Sequence, residues 1–504
     1  MTAPANVGIG VGRVRRWIRR RQRAAAQGSD RFETVYTLVL LVAMVGYAVW
    51  AQLQSILSGQ TAASAGTREG VVLAAGLGWT AALLAAAAAL GPVSTSAPAL
   101  QWLFTTPLDR RALLAPAGAQ VVGIGLLAGL TQGLLTLTLS TAGAGAVLLA
   151  ALAGGVLSVG AAVGVQAASR RPARVLSRWA TVLVLAAAAV AVGSAAGLPM
   201  GAVAYTGPWG WPLVTAKHGW VAALVGAAAL GVPIFIWYRL RALTLANLTD
   251  AAQSSGAATA VFVTLDPGLA SRAAEDRRWR GRRLGPDRLP RLAGRFAATG
   301  QDALLLARSP VRLLLAAALA TVPVLATGLP VSRWVIAGVW LLSGVAAAAS
   351  STANARRDRD DRALARLLGL TDGQLFTGRV AVPVVVCTVW CTVALLAVGA
   401  QATSGGLGTW ALLGACAGPG LAAGALRSAR RQQVRHDIAP IVSPTGTLPT
   451  GLFMWLFSGI DLAVLGLWPA LFAIVSQHPQ AALANQVLFS AGTLTAIIVT
   501  ARRG

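Results

Sequence analysis

Long apolar runs separated by short polar stretches dominate the chain, and each run reaches the roughly 20 residues with which a helix crosses a hydrocarbon core. Twelve spans are predicted, at about 35–55, 70–91, 113–139, 144–168, 179–199, 219–240, 311–329, 334–354, 380–400, 408–426, 452–475 and 481–501. The expected fold class is therefore an all-α polytopic membrane protein with about 12 transmembrane helices. It divides into a basic lead-in (1–34), a first six-span bundle (35–240), a cytoplasmic linker and surface helix (241–310) and a second six-span bundle (311–504). Each half runs as two spans, an amphipathic handle, two spans, a basic loop and two spans. Leu100 and Leu364 set the offset between halves at about 264 residues, which predicts two parallel repeats about an axis along the membrane normal.

The handles break the pattern. The first is Pro98-Ala-Leu-Gln-Trp102-Leu-Phe-Thr-Thr-Pro107-Leu-Asp-Arg-Arg111-Ala-Leu-Leu114. It is too polar to span a bilayer and too apolar for an ordinary solvated loop. Leu100, Leu103 and Phe104 recur at helical spacing, which predicts a short amphipathic helix ended by Pro107. The second handle, Asp361-Arg-Ala-Leu-Ala-Arg-Leu-Leu-Gly-Leu-Thr-Asp-Gly373, repeats the design between spans eight and nine. In the linker, Leu292, Phe296 and Leu304 predict a surface helix from Arg291 to Arg308 leading into span seven.

Charge orients the spans. The chain is 56% hydrophobic and 12% charged, with a formal net charge of +26. In a soluble protein that excess would suggest nucleic acid. Here, by the predicted spans, only Arg68, Lys217 and Arg333 fall on one side, and the other 39 of the 42 Lys and Arg fall on the opposite side. That is the positive-inside pattern, so both termini are expected in the cytoplasm, with no nucleic-acid partner. Arg in place of nearly all Lys, with the Ala and Gly richness, suggests a GC-rich bacterial genome and hence a bacterial plasma membrane. The seven arginines from Arg13 to Arg23 precede a full-length span rather than a short cleavable core, and read as a topological anchor on anionic headgroups.

Little catalytic chemistry is present. The phosphate-cradling loop needs a Gly-Lys pair, and the one lysine, Lys217, precedes His218 in an outer loop, so ATP hydrolysis by that route is excluded for this chain. His218, His436 and His478 are scattered, and Cys387, Cys391 and Cys416 fall in apolar runs as small hydrophobes; no metal site and no bound cofactor are expected. Small-residue pairs at Gly125/Gly129, Gly160/Gly164 and Gly414/Gly418 suit close helix packing. Asp461 is the one acidic residue inside a predicted span, either on a pathway or at a helix end bonded to backbone or Arg. Thr131, Gln132 and Thr136, and Asn485, Ser490 and Thr493, form polar stripes that fit either a pathway or interhelical hydrogen bonds.

The Pro107-Leu-Asp-Arg-Arg-Ala-Leu-Leu114 run after the second span resembles the first intracellular loop of ABC-2-type exporter permeases. The resemblance implies a transmembrane permease subunit in which the handles are coupling helices seated on separate ABC ATPase subunits, two copies for the two halves. ATP and Mg then belong to the partner, and the chain itself is not an enzyme. Trp102, Leu103, Phe104, Asp109, Arg110 and Arg111 would couple in the first half, and Arg366, Leu367, Leu368 and Asp372 in the second. Thr131, Gln132, Asp461 and Asn485 would border the path of a hydrophobic or amphipathic cargo. The chain departs from the commoner pattern by fusing two six-span halves, and its second handle lacks the Pro-Leu-Asp-Arg-Arg run. The competing readings are an ion-coupled twelve-span secondary transporter, a membrane-embedded enzyme and a structural scaffold.

Overall fold

The computed structural model describes residues 65–503 apart from 105, 107, 140–142, 265–293, 330, 361–368, 403, 432–433, 435–440, 444–445 and 449. Its helices are α1 (Ala65–Leu90), α2 (Ala97–Leu103), α3 (Arg110–Leu139), α4 (Ala144–Ala168), α5 (Pro172–Ala195), α6 (Trp211–Lys217), α7 (Gly219–Arg239), α8 (Leu245–Thr264), α9 (Arg295–Ala307) and α10 (Pro310–Leu319). They continue as α11 (Val322–Thr327), α12 (Arg333–Ala348), α13 (Ala353–Asp360), α14 (Asp372–Gly378), α15 (Ala381–Gly399), α16 (Leu407–Ala429), α17 (Thr450–Phe457), α18 (Ile460–Ser476) and α19 (Pro479–Arg503). Between α16 and α17 a short hairpin pairs β1 (Ile441–Ser443) with β2 (Gly446–Leu448) in antiparallel register, Val442 opposite Thr447. That segment was expected to be loop alone.

Among the described residues nine helices are long and apolar enough to cross a membrane, and up to eleven if each of two bent pairs counts as one span. Predicted spans two to twelve each fall on one of these eleven; the first, at 35–55, lies outside the described residues. Large apolar side chains stand exposed along them, including Leu127, Leu230 at 78%, Val385 and Leu488. Water would oppose that display, whereas hydrocarbon accepts it, provided the backbone is satisfied within each helix. The chain is a multi-pass helical membrane protein.

The differences from the expected ends have local causes. α5 starts at Pro172, seven residues before the predicted span, so Arg174 and Arg178 sit on its first turns. Proline suits the first helical position, and long arginine stems carry their charge away from the apolar surface. The eleventh span is broken between α17 and α18 by a 44° bend. Gly459 takes a φ of +101° there, and a Cβ on it would lie 2.6 Å from Cβ of Ser428. The eighth span bends by 62° between α12 and α13. The expected linker begins with a helix, α8, whose Leu248, Ala251 and Ala252 are buried; its Asn247 Nδ2 donates to the carbonyls of Gln166 (2.8 Å) and Ser169 (3.1 Å) at the end of α4. Within the Arg291–Arg308 segment a helix is present, α9, with Ala298, Asp302 and Leu306 buried; residues 265–293 of the linker lie outside the described residues.

The fold has two compact units, with the boundary falling within α1, α5 and α8. One contains Gly78–Ala180 and Ala202–Thr259; the other contains Ala63–Leu77, Thr181–Gly201 and Ala260–Gly504. The first unit's core gathers Val93, Leu114, Val159, Val163, Ile236 and Leu248. Its α3 and α4 meet through glycine: a Cβ on Gly125 would sit 3.0 Å from Cα of Val156, and one on Gly129 2.6 Å from Cα of Leu152. The second unit's core is heavier, built on Trp340, Trp390, Trp410, Leu413 and Leu467. Trp340 and Trp390 pack with ring centroids 6.2 Å apart, and Trp390 Nε1 donates to the Ala316 carbonyl at 2.9 Å. α15 and α16 approach at Gly414, where a Cβ would lie 2.6 Å from Cα of Thr392. The cysteines are unpaired, with Cys387 and Cys391 fully buried in this core.

Candidate functional site

The first handle contains the short helix its spacing predicts; it ends at Leu103, and Pro107, the expected end, lies outside the described residues. Ser96 caps α2, its Oγ accepting from the Ala99 amide at 3.4 Å, and Pro98 occupies the first turn. Leu100 is buried, Phe104 packs against the first unit's core, and Trp102 is left 75% exposed. The lead into α2 is clamped by a buried amide: Gln166 Oε1 accepts from the Val93 N–H and its Nε2 donates to the Val93 carbonyl, both at 2.9 Å. This pairing satisfies both backbone groups of a buried residue outside any helix. After the handle, Asp109 Oδ1 accepts from the Arg111 amide at 3.2 Å, placing a carboxylate at the positive end of α3. Arg110 is exposed, and the Arg111 guanidinium lies 5.3 Å from the Tyr238 ring centroid. Trp102 and Leu103 lie in α2, Phe104 is its C-cap, and Asp109, Arg110 and Arg111 stand at the start of α3.

At the second handle, Arg366, Leu367 and Leu368 lie outside the described residues. Asp372 is described, in the first turn of α14. Thr371 closes a capping box there, its Oγ1 accepting from the Gln374 amide (3.2 Å) and its own amide donating to Gln374 Oε1 (3.0 Å). Leu375 and Phe376 are buried, so α14 is sewn into the second unit.

What fixes it is Arg379, which immediately follows α14 and is 1% exposed. Its guanidinium spends all five donors. Nε and Nη2 donate to the two Asp358 oxygens at 2.7 and 3.2 Å. Nη1 donates to Asp302 Oδ1 (2.7 Å) and the Ala298 carbonyl (2.9 Å), and Nη2 also donates to Gln301 Oε1 (2.7 Å). Asn354 Nδ2 adds a 2.6 Å bond to the same Asp302 oxygen. Three helices, α9, α13 and α14, are thereby tied at one point. Burial pushes the Asp302 carboxyl up to about 6, against the opposing pull of Arg379 and the Asn354 and Arg379 hydrogen bonds.

Beside this knot lies a cavity of about 520 Å³. Asp358, Arg359, Asp372, Arg379, Arg427, Arg430 and Arg431 bring charge to it, five arginines against two carboxylates. Asp461 is close by, at the N-terminus of α18 rather than within its apolar length. Its Oδ1 accepts from the amides of Gly459 (2.8 Å) and Leu462 (2.7 Å), and its Oδ2 pairs with Arg427 at 3.0 Å.

The remaining candidates are placed apart. Thr131 bonds to carbonyls of its own helix, and buried Gln132 reaches the Pro208 and Trp209 carbonyls at 3.4 Å. Asn485 is exposed. The buried residue is its neighbour Gln486, which sequence reasoning missed. Gln486 Oε1 accepts from the Ala470 amide (2.9 Å) and Nε2 donates to the Gly466 carbonyl (2.7 Å), the two groups that a regular helix pairs with each other. The amide bridges the turn that Pro469 disturbs in α18. Gln486→Leu is expected to cost about 2 kcal/mol by stranding both groups. A thermal midpoint for that variant equal to wild type in detergent would show that the bridge contributes nothing.

Residues 64–439 match a family of unknown function, DUF6297. The chain belongs to that family. No curated protein matches it. The DUF6297 match includes α2, the Gln166 clamp and the Arg379 knot with its three carboxylate- and amide-bearing partners, and ends before α17.

Proposed function

We propose that the chain is the transmembrane permease subunit of an ATP-driven exporter of the ABC-2 type. In this reading it spans the bacterial plasma membrane with both termini inside, as two parallel six-span repeats. The observation that carries it is the handle: a short capped helix between two spans, its inner residue Leu100 buried and its Trp102 75% exposed. A large exposed aromatic on a fixed helix is the kind of anchor that fills a partner's pocket. The partner is a pair of separate ABC ATPase subunits carrying ATP and Mg, since this chain has no phosphate-cradling loop. Closure of the two motor subunits moves the handles, and the bundles release a hydrophobic or amphipathic cargo outward. The second handle, with Arg366, Leu367, Leu368 and Asp372, takes the corresponding place on the second motor.

Affinity recovery of the tagged chain from its native membrane tests this. An ATPase with a Gly-x4-Gly-Lys-Ser/Thr loop should accompany it, and the purified chain alone should hydrolyse no ATP. Recovery without any ATPase, together with transport abolished by a protonophore while ATP is maintained, would replace this reading with an ion-coupled carrier.

A further inference from the structure

Four guanidinium groups of the first unit are unspent. Arg170, Arg171, Arg174 and Arg178 gather at the start of α5, and all four are exposed. Their side chains make no hydrogen bond, ion pair or ring contact among the described residues. The partners that arginines at such a position ordinarily take are occupied or elsewhere. The last carbonyls of α4 stand next to them in the chain, but Asn247 Nδ2 already binds those of Gln166 and Ser169. The first unit's described carboxylates are Asp109 and Asp250, and neither pairs with an arginine of this group.

The way α5 docks explains the exposure. Leu176 and Ala180, one turn apart, are buried against the unit. Arg174 and Arg178 stand on either side of Leu176 in sequence, which turns each about 200° away from it. Arg171 precedes Arg178 by about two turns and falls in line with it. The three form a ladder along one face, with Arg174 and Arg178 about 6 Å apart along the axis. The positive end of α5 adds the same sign of charge. Planar guanidinium groups match phosphate oxygens two at a time.

Aromatic side chains show what faces the ladder. Trp179 is exposed directly after Arg178, and Trp237 and Tyr238 are exposed near the end of α7. The two ends lie together, since a Cβ on Gly164 of α4 would sit 3.3 Å from Cζ of Phe235 on α7. Exposed Trp and Tyr at the ends of membrane spans mark the headgroup level of a bilayer. From Trp179 the ladder runs away from the apolar length of α5, toward the depth of the lipid phosphates. We infer that the Arg171–Arg174–Arg178 face binds the phosphate of an anionic phospholipid headgroup, with Trp179 beside the lipid's glycerol and upper acyl region. The site rests on the membrane-spanning fold and not on the exporter reading.

The full-length protein, delipidated in a neutral detergent, is titrated with dioleoyl phosphatidylglycerol or dioleoyl phosphatidylcholine, and retained lipid is counted by native mass spectrometry. Phosphatidylglycerol should be retained in preference. Arg174→Gln together with Arg178→Gln should weaken it about 25-fold, about fivefold for each arginine. A control pair, Arg239→Gln with Arg241→Gln, removes the same charge from exposed residues after α7 and should change retention less than about twofold. All four positions are exposed, so both variants should keep the wild-type thermal midpoint. Equal weakening by the two pairs would overturn the ladder as a site and leave net charge as the cause. Equal retention of the two lipids would overturn the preference for an anion, and displacement of phosphatidylglycerol by soluble glycerol 3-phosphate would overturn the lipid as its source. An Arg174/Arg178 variant that retains phosphatidylglycerol as wild type does but loses a co-purifying protein would overturn the proposal in favour of a protein partner.

Discussion

Arg379→Met should lower the stability of the second unit by about 3–5 kcal/mol, the usual result of removing one partner from a buried charged network. Five hydrogen bonds disappear, and Asp302 and Asp358 are left without the cation that offsets their burial. The thermal midpoint in detergent should drop by roughly 10 °C, with α9 and α13 becoming the first segments to exchange backbone hydrogens. Arg379→Lys should rescue little, because an ammonium has three donors and cannot reach two carboxylates, an amide and a carbonyl at once. A double variant, Arg379→Met with Asp302→Leu, should recover part of the loss, since it no longer strands the Asp302 charge. The folded Asp302 carboxyl holds its proton up to about pH 6, whereas the ordinary carboxyl lets go near 3.8. The folded state therefore takes up that proton first. Its contribution to stability is smallest above pH 6 and rises as the pH falls toward 4. Asp302→Asn should flatten that part of the stability–pH curve; an unchanged slope between pH 6 and 4 would mean that Asp302 is not the group responsible.

Trp102→Ala should leave the fold intact and weaken the proposed complex with an ATPase by about 30-fold, the scale of a single aromatic anchor lost from an interface. The two effects separate because Trp102 is 75% exposed, and surface substitutions of that kind stay within about 0.5 kcal/mol of wild type. Phe104 offers no such separation: it packs against the first unit's core, so Phe104→Asp would disturb the handle's base as well as its surface. Bound ATPase per mole of chain, measured beside the thermal midpoint, decides the matter. A Trp102→Ala protein that keeps its ATPase would remove the handle from the interface.

How much of this was legible in the sequence follows from which interactions are local. The positions of spans two to twelve were, because membrane burial needs only a continuous apolar length, and α2 was, because Leu100, Leu103 and Phe104 lie within a few residues of each other. The breaks in spans eight and eleven were not, since Gly459 looks like any of the 56 glycines until Ser428 and Gly424 close on it. The Arg379 knot was not either. A single arginine before span nine reads as one more inside anchor, and its partners lie 21 and 77 residues away. One signal was present: Ala298, Asp302 and Leu306 recur at four-residue spacing on the buried face of α9, an acid where an apolar residue was due. Gln486 was missed for a different reason. Asn485 and Gln486 are adjacent amides in one apolar run, and only the packing of α19 on α18 decides which of them is buried.

The claim that the handle seats an ATPase is tested most directly by capture at the residue itself. A photo-crosslinking amino acid is placed at position 102, and in a second protein at Leu230, which is equally exposed but on a membrane span. Irradiation of intact cells should join position 102, and not position 230, to a protein bearing the phosphate-cradling loop, with the yield changing on addition of a non-hydrolysable ATP analogue. Crosslinks from position 102 to lipid or to no protein, with the chain active in transport, would contradict the coupling account.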